Sequence, residues 1–264
     1  MSETLYVLVL AVLQGIAEFL PISSSGHLVI GKSLLSEFWP DAVSTSGGMQ
    51  LEVALHAGTL GSILLVFAKD LWQLRRDWRL CLLIILASIP AGVVGITLKK
   101  SLEPMFESPL VAGCGLLVTA IFLLLGQKLA SGKYTERDQP WATAFVVGCF
   151  QAIALVPGIS RSGSTIAGGL LTGLQRIAAA KFSFLMAIPA IGGATLLEAK
   201  DLLIDGTPLA YGLGSLTLGI IVSFVVGIAA LRLLLLVVAR GQLHWFAYYC
   251  LTAGMLTILW QLLQ

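Results

Sequence analysis

The chain has 264 residues, of which 57% are hydrophobic and only 11% are charged, and its mean hydropathy is +0.93. Soluble domains carry about 25% charged residues, so this composition excludes an ordinary soluble protein. The formal net charge of +2 gives no indication of a nucleic-acid partner. The sequence therefore predicts an all-α polytopic membrane protein that forms a single membrane domain over residues 1–264.

Two pairs of apolar segments are too short to cross a bilayer as full spans, and each pair brackets a turn rich in Pro, Ser and Gly. The pairs are 4–20 with 28–35 and 142–156 with 164–174. Irregular backbone at membrane depth is tolerated only where it is buried in protein or lines a wet cavity. Each pair is therefore predicted to form a re-entrant helical hairpin, which enters and leaves the membrane on the same side.

Six other apolar runs have the length that a transmembrane helix needs, which is about 20 residues. Each hairpin is followed by three of them. The six predicted transmembrane helices lie at about 51–68, 80–98, 110–127, 182–198, 211–236 and 243–263.

A shift of 137 residues brings the two turns into register. Gln14 then falls on Gln151, and the phrase Ile22-Ser-Ser-Ser-Gly26 falls on Ile159-Ser-Arg-Ser-Gly163, with seven identities in thirteen ungapped positions. Each half, about 1–128 and 138–264, would contain one hairpin and three spans. Because three is odd, the second half would be inverted relative to the first. This pattern predicts an inverted-topology repeat whose two serine turns meet near the middle of the bilayer.

Lysine and arginine residues in the connections predict the orientation, because cytoplasmic loops carry an excess of both. Ten lie on one predicted face and four on the other, so the first face is predicted to be cytoplasmic. Both termini would then lie on the outer face, to which the site cavity is expected to open. The ten are Lys69, Arg75, Arg76, Arg79, Lys128, Lys133, Arg137, Arg176, Lys181 and Arg240, and the four are Lys32, Lys99, Lys100 and Lys200.

Ionisable side chains within membrane segments are candidates for function. Gln14 and Glu18 are four residues apart, so they share one helix face that points toward the first turn. A carboxylate beside an amide oxygen suits a hard divalent cation such as Mg²⁺ or Ca²⁺. The alternative is a buried pair that only joins helices through hydrogen bonds.

The first turn, Ser23-Ser24-Ser25-Gly26, leads directly into a short helix. Exposed N–H groups and the positive end of the helix dipole form an anion site there, and the hydroxyls can reach ligand oxygens. His27 lies three residues beyond Ser24, so the two could act as nucleophile and base. The alternative is simple helix capping beside a hydrogen-bonded histidine.

The second turn carries Arg161 among small hydroxyl residues. A guanidinium at this depth is costly unless an anion or an acid pairs with it, and its fork matches a phosphate. Two such turns that face one carboxylate favour a phosphate or diphosphate ligand. A structural ion pair between Arg161 and Glu18 is the alternative. The predicted phosphate-binding residues of this turn are Ser160, Ser162, Gly163 and Thr165.

Other polar residues suggest supporting roles. Glu52 and His56 are again four residues apart, and a packing or supporting role is favoured over a metal site. Four residues at the start of the last apolar run are typical of an interfacial belt and are assigned no catalytic role, namely His244, Trp245, Tyr248 and Tyr249.

The phrases Gln14-Gly-Ile-Ala-Glu-Phe-Leu-Pro-Ile-Ser-Ser-Ser-Gly-His27 and Pro157-Gly-Ile-Ser-Arg-Ser-Gly-Ser-Thr165 resemble the two signature motifs of the undecaprenyl-diphosphate phosphatase family of the bacitracin-resistance type. The likeness covers essentially the whole chain. It implies a phosphatase of the bacterial cytoplasmic (inner) membrane that uses a divalent cation. Its substrate would be a polyprenyl diphosphate lipid, and the product would be the monophosphate carrier for peptidoglycan synthesis. A homodimer is left open.

The resemblance also assigns roles by motif position. Glu18 matches the essential acid, and Gln14 matches a position that is Glu or Gln, so one anionic metal ligand is missing relative to members with two acids. Ser24 matches the proposed nucleophile and His27 the histidine beside it. Arg161, with Ser160 and Thr165, matches the phosphate-binding motif.

These interpretations combine into one hypothesis with a rival. Glu18 holds a cation on the diphosphate, Arg161 neutralises the terminal phosphoryl group, and Ser24, His27 or a water molecule attacks phosphorus. Ser23, Ser25 and Gly26 would bind the diphosphate from the first turn. The rival is a lipid-phosphate or anion transporter that uses the same inverted-repeat site, since broken helices and inverted repeats are also transporter features.

Overall fold

The computed structural model describes residues 3–38, 48–204 and 210–263. These residues form twelve α-helices and one short 3₁₀ helix, joined by turns. The α-helices are α1 (Glu3–Ala17), α2 (Ser24–Phe38), α3 (Gly48–Val66), α4 (Ala68–Leu74), α5 (Trp78–Thr97), α6 (Lys99–Leu102), α7 (Pro109–Leu129), α8 (Trp141–Ile153), α9 (Arg161–Leu171), α10 (Arg176–Ile204), α11 (Leu213–Ala239) and α12 (His244–Leu262), and the 3₁₀ helix is Glu103–Glu107.

The prediction of an all-helical polytopic membrane protein is confirmed. Among the described residues, five helices are long and apolar enough to cross a membrane, namely α3, α5, α7, α10 and α11. The sixth predicted span corresponds to α12, which is 19 residues long. Its histidine, tryptophan and tyrosine residues lower its hydropathy, so α12 is not among these five. The short helices α4 and α6 were not predicted, because each has fewer than eight residues.

The helix boundaries have local causes. Asp77 accepts a hydrogen bond from the backbone N–H of Leu80 and so caps α5. Ser108 caps α7 in the same way, and Pro109 follows at the first helical position, where its missing N–H costs nothing. Ser160 caps α9 through the N–H of Gly163.

The short helices pack as two pairs, α1 against α2 and α8 against α9. Long helices surround each pair, with α11 and α3 beside α1, and α5, α7 and α10 beside α8 and α9. Small residues allow these close approaches: a Cβ atom on Gly58 would lie 2.5 Å from the carbonyl oxygen of Ile220, and one on Gly148 would lie 2.4 Å from that of Ala87. The two pairs are thereby packed closely against the long helices, and their turns meet.

Candidate functional site

The first turn places a carboxylate and an amide inside the protein. Gln14 is fully buried on α1, and Glu18, just beyond the end of that helix, is 7% exposed. The Gln14 Nε2 atom donates a hydrogen bond of 3.1 Å to Glu18 Oε2. The four-residue spacing therefore brings the two side chains together, as the sequence predicts.

Ser24 begins α2 and faces the same carboxylate. Its hydroxyl donates to Glu18 Oε2 at 2.6 Å. Ser23 caps the helix instead, because its hydroxyl accepts from the N–H of Gly26 at 3.2 Å and lies 3.3 Å from the Ser25 hydroxyl. Of the three serines, Ser24 is thus the one whose hydroxyl contacts the acid.

The second turn brings the arginine to the same acid. Arg161, the first residue of α9, donates from Nη2 to Glu18 Oε1 at 2.6 Å. The residues near Arg161 that were predicted to bind phosphate form hydrogen bonds within the protein and stabilise the turn. The Ser160 hydroxyl caps α9 and lies 3.2 Å from the Ser162 hydroxyl. Thr165 donates to the Arg161 carbonyl at 2.8 Å and bonds to Ser183 at 2.6 Å.

The two turns touch each other at their glycines. A Cβ atom on Gly26 would lie 2.8 Å from the Cα of Gly158, and one on Gly163 would lie 3.2 Å from the Cβ of Pro21. Gly158 has a φ of +89°, and a Cβ there would lie 2.0 Å from the carbonyl oxygen of Ala112. Only glycine fits this position, where the turn passes against α7.

Three polar atoms of the two motifs are buried and have no hydrogen-bond partner among the described residues. They are Oε1 of Gln14, Nη1 of Arg161 and Oγ of Ser164. Buried polar groups in native proteins are nearly always paired, so an unpaired acceptor and an unpaired donor here indicate a ligand site. One arm of the Arg161 fork is held by Glu18, and the other is available to an anionic oxygen.

His27 does not bond to Ser24. Its Nδ1 atom is 2.8 Å from the Ser23 carbonyl oxygen, and its Nε2 atom is 2.7 Å from the Tyr249 hydroxyl. The residue lies beside the first turn, as predicted, but both of its ring nitrogens contact groups other than the serine.

Sequence reasoning did not connect three further residues with the turns. His56 of α3 lies 3.9 Å from Glu18 through its Nε2 atom, and its spacing from Glu52 had indicated a supporting role. Thr119 of α7 accepts from the N–H of Ser160 at 2.8 Å, and its position in an apolar span gave no signal. Tyr249 had been interpreted as an interfacial residue.

The donor set at Glu18 is compatible with a divalent cation. Within the described part of the chain, no group of three or more His, Cys, Asp or Glu side chains is placed to hold a metal ion. Mg²⁺, however, is commonly bound by one or two carboxylates together with substrate phosphates and water. A carboxylate has about four acceptor sites, and Gln14, Ser24 and Arg161 occupy three at Glu18. One site remains, on Oε1, which accepts only from Arg161, whereas Oε2 accepts from both Gln14 and Ser24.

Comparison with known proteins identifies relatives along nearly the whole chain. The family model of the bacitracin resistance protein BacA matches residues 7–256. An undecaprenyl-diphosphatase of Rhodopirellula baltica is 48% identical, and the match covers 98% of this chain and 98% of that protein. Undecaprenyl-diphosphatases of Alkaliphilus metalliredigens and Methanosphaera stadtmanae are each 38% identical over 98% of this chain.

Proposed function

The chain belongs to the bacitracin resistance protein BacA family, and on that premise we propose that it is an enzyme that hydrolyses undecaprenyl diphosphate to undecaprenyl phosphate and inorganic phosphate. Its relatives are named undecaprenyl-diphosphatase, and the matches cover almost their entire lengths. The reaction recycles the lipid carrier for peptidoglycan synthesis and confers bacitracin resistance. The alternative of a transporter has no support among these relatives.

The observation that carries the assignment to this site is the arrangement around Glu18. A hydroxyl and a guanidinium from the two turns bond to one carboxylate, and the second arm of the guanidinium is unpaired. Phosphoryl transfer depends mainly on positioning and on charge stabilisation of the transferred group. Arg161 supplies the charge through Nη1, and Ser24 supplies an oriented hydroxyl close to it.

The membrane arrangement that supports this site has six spans, α12 being the sixth, and two re-entrant hairpins, α1–α2 and α8–α9. Residues related by the 137-residue shift make equivalent hydrogen bonds, which supports an inverted repeat. Gly26 donates to Ser23 at 3.2 Å, and Gly163 donates to Ser160 at 3.1 Å. The serine pairs also match, with 3.3 Å between Ser23 and Ser25 and 3.2 Å in the second turn.

The protein lies in the bacterial cytoplasmic (inner) membrane, with the site open to the outer, periplasmic face. The charges support this orientation, because one end of the bundle holds ten of the fourteen lysines and arginines counted above. Lys181 pairs with Asp70 at the end that holds most of the loop lysines and arginines. Lys99 pairs with Asp201 at the other end. The excess of positive charge marks the first end as cytoplasmic.

Glu18 and Gln14 are the residues that would hold a divalent cation, Mg²⁺ or Ca²⁺. When bound, the cation supplies positive charge that offsets the charge of the diphosphate. The unpaired, buried Gln14 Oε1 supports this assignment, because an amide oxygen next to a carboxylate is a ligand pair for a hard cation.

Ser24 is the nucleophile in the mechanism that these contacts favour. As Ser24 Oγ bonds to the terminal phosphorus, its proton passes to Glu18 Oε2, which already accepts the hydrogen bond at 2.6 Å. The bond from that phosphorus to the bridging oxygen breaks and releases undecaprenyl phosphate. Water then cleaves the phosphoserine to inorganic phosphate, and a proton returns to Ser24. Arg161 Nη1 pairs with the phosphoryl oxygens in both steps.

Phosphate release tests the activity itself. Purified protein in detergent is expected to release inorganic phosphate from farnesyl diphosphate, a short prenyl substrate. Chelation by EDTA should stop the release, and added Mg²⁺ or Ca²⁺ should restore it. A preparation that stays folded but releases no phosphate with either cation would overturn the proposed function.

Trapping of a phosphoenzyme tests the nucleophile. Rapid acid quenching followed by mass spectrometry is expected to locate a phosphoserine at Ser24, which acid leaves intact. A phosphate at His27 that is found after alkaline quenching and is lost after acid quenching would show that the histidine attacks phosphorus. Turnover without a phosphoenzyme in the Ser24→Ala variant would show that water does.

A further inference from the structure

The last helix of the chain contacts the first serine turn at two points. The Tyr249 hydroxyl lies 2.7 Å from His27 Nε2, and the two rings stack with centroids 5.6 Å apart and an interplanar angle of 14°. The next residue, Cys250, points its thiol toward the Pro21 carbonyl oxygen at 3.5 Å. Two consecutive residues of α12 therefore touch both ends of the turn that carries Ser24.

The hydrogen bonds determine which ring nitrogen of His27 carries the proton. Nδ1 is 2.8 Å from the Ser23 carbonyl oxygen, which can only accept, so Nδ1 carries the hydrogen and donates. In the neutral ring, Nε2 then has a lone pair, and the Tyr249 hydroxyl donates to it. Tyr249 thus favours the Nδ1–H tautomer and holds the ring from the side opposite Ser23.

His27 contacts the carbonyl group of Ser23, and Ser23 has a strained backbone conformation. Ser23 has a φ of 71°, and it is the only non-glycine residue with a positive φ in the described ranges. A non-glycine residue in this region is strained and persists only where its surroundings hold it. The His27 backbone N–H also donates to the Ser23 carbonyl, at 3.2 Å. This conformation sets the direction in which Ser24 leaves the turn.

We infer that Tyr249 is a positioning residue for the reaction. Through the tautomer and orientation of His27, it holds the Ser23 carbonyl and thereby keeps the Ser24 hydroxyl on Glu18. This role depends on the proposed function, in which Ser24 attacks phosphorus. Tyr249 acts indirectly, because its hydrogen bond is to His27.

The kinetic test compares two phenylalanine variants of neighbouring tyrosines. Tyr249→Phe removes only the hydroxyl that bonds to His27. Tyr248→Phe is the matched control, because the Tyr248 ring lies against His244 and Trp245 rather than against the turn. With farnesyl diphosphate, Tyr249→Phe is expected to lower kcat about tenfold to a hundredfold with little change in KM, since a misplaced nucleophile costs about that much. Tyr248→Phe should retain the wild-type kcat.

A double-mutant cycle separates action through His27 from an unrelated effect. If Tyr249 acts through His27, the variant Tyr249→Phe combined with His27→Gln should be no slower than His27→Gln alone. Independent, multiplying losses in kcat would contradict the inference.

Nitrogen-15 NMR of histidine-labelled protein gives a readout that needs no turnover. The wild type should show one neutral histidine in the Nδ1–H form whose Nε2 signal shifts in Tyr249→Phe and not in Tyr248→Phe. An unchanged spectrum in both variants, or equal kcat values for both, would overturn the inference while leaving the proposed function intact. Absence of hydrolysis by the wild type would instead refute the proposed function, and the spectrum would still report on the hydrogen bond.

Discussion

The Glu18 carboxylate orders the site because three side chains donate to it. Gln14, Ser24 and Arg161 come from three segments of the chain, and all lie within 3.1 Å of its oxygens. Burial of a lone carboxylate costs several kcal/mol, and these donors offset that cost. The same three contacts also hold a hydroxyl and a guanidinium beside one acid, which is the arrangement that the proposed mechanism uses.

Arg161→Lys tests whether the fork of the guanidinium matters beyond its charge. Lysine can still pair with Glu18, so the protein is expected to fold with a similar melting temperature. It cannot hold Glu18 with one arm and a phosphoryl oxygen with the other, so kcat should fall about 100-fold. Phosphate release measures this, and Arg240→Lys, at an exposed position, is the control. Wild-type turnover by Arg161→Lys would mean that the arginine is only a structural partner of Glu18.

At the scale of elements, the site depends on the contact between two helical pairs. Gly26 of α2 meets Gly158, the glycine that precedes α9 by three residues, and neither position has room for a side chain. The carboxylate from one pair reaches the arginine of the other only because the backbones approach this closely. The glycines of the two motifs therefore allow the close contact at the junction, in addition to their predicted role in phosphate binding.

Gly26→Ala should separate the two turns. The new Cβ would lie 2.8 Å from a backbone atom of Gly158, which cannot move without shifting α7 or α9. Overpacking of this kind costs about 1–3 kcal/mol, and a displacement of about 1 Å lowers turnover about 100-fold. Thermal unfolding and phosphate release should both report the change. Gly92→Ala, where a Cβ meets nothing within 4 Å, is the control and should keep full activity. Equal behaviour of the two variants would contradict a role of the close contact.

At the scale of the whole molecule, the two ends of the bundle differ in charge. Arg79 donates to the carbonyl oxygens of Arg137 and Gln139, and Arg137 pairs with Asp77 at 3.6 Å, so one end carries an ordered arginine cluster. At the other end, the start of α1 meets the start of α11, where Glu3 accepts from the N–H of Gly212. This asymmetry is the physical basis for the predicted orientation.

Fusions of alkaline phosphatase test the orientation, because this enzyme is active only outside the cytoplasm. A fusion at the carboxyl terminus should be active, and a fusion after residue 133, in the basic loop, should be inactive. The opposite pattern would place the site entrance on the cytoplasmic face. Equal expression of both fusions on immunoblots is the necessary control.

Much of the fold was predictable because helix formation in lipid is a local requirement. Each predicted apolar segment corresponds to a helix, and observed ends such as those of α3 and α7 lie within about three residues of the predicted ones. The span predicted for α10 was shorter than the helix, which extends from Arg176 to Ile204. The charged residues near its ends had been assigned to the flanking loops, but they lie within the continuous helix. Within the site, spacing alone predicted that Gln14 and Glu18 share a face.

The sequence by itself determined that the chain is a helical membrane protein with two polar turns, and it marked Glu18, Ser24, His27 and Arg161 as the residues of interest. Apolar runs and broken helices are local features, since every backbone group in lipid must be paired within its own segment or its immediate surroundings. Only the tertiary structure decided that Ser24 bonds to Glu18 rather than to His27, and that α12 reaches the first turn. These contacts join residues as far as 222 positions apart, and their existence depends on how closely the glycine-lined helices pack.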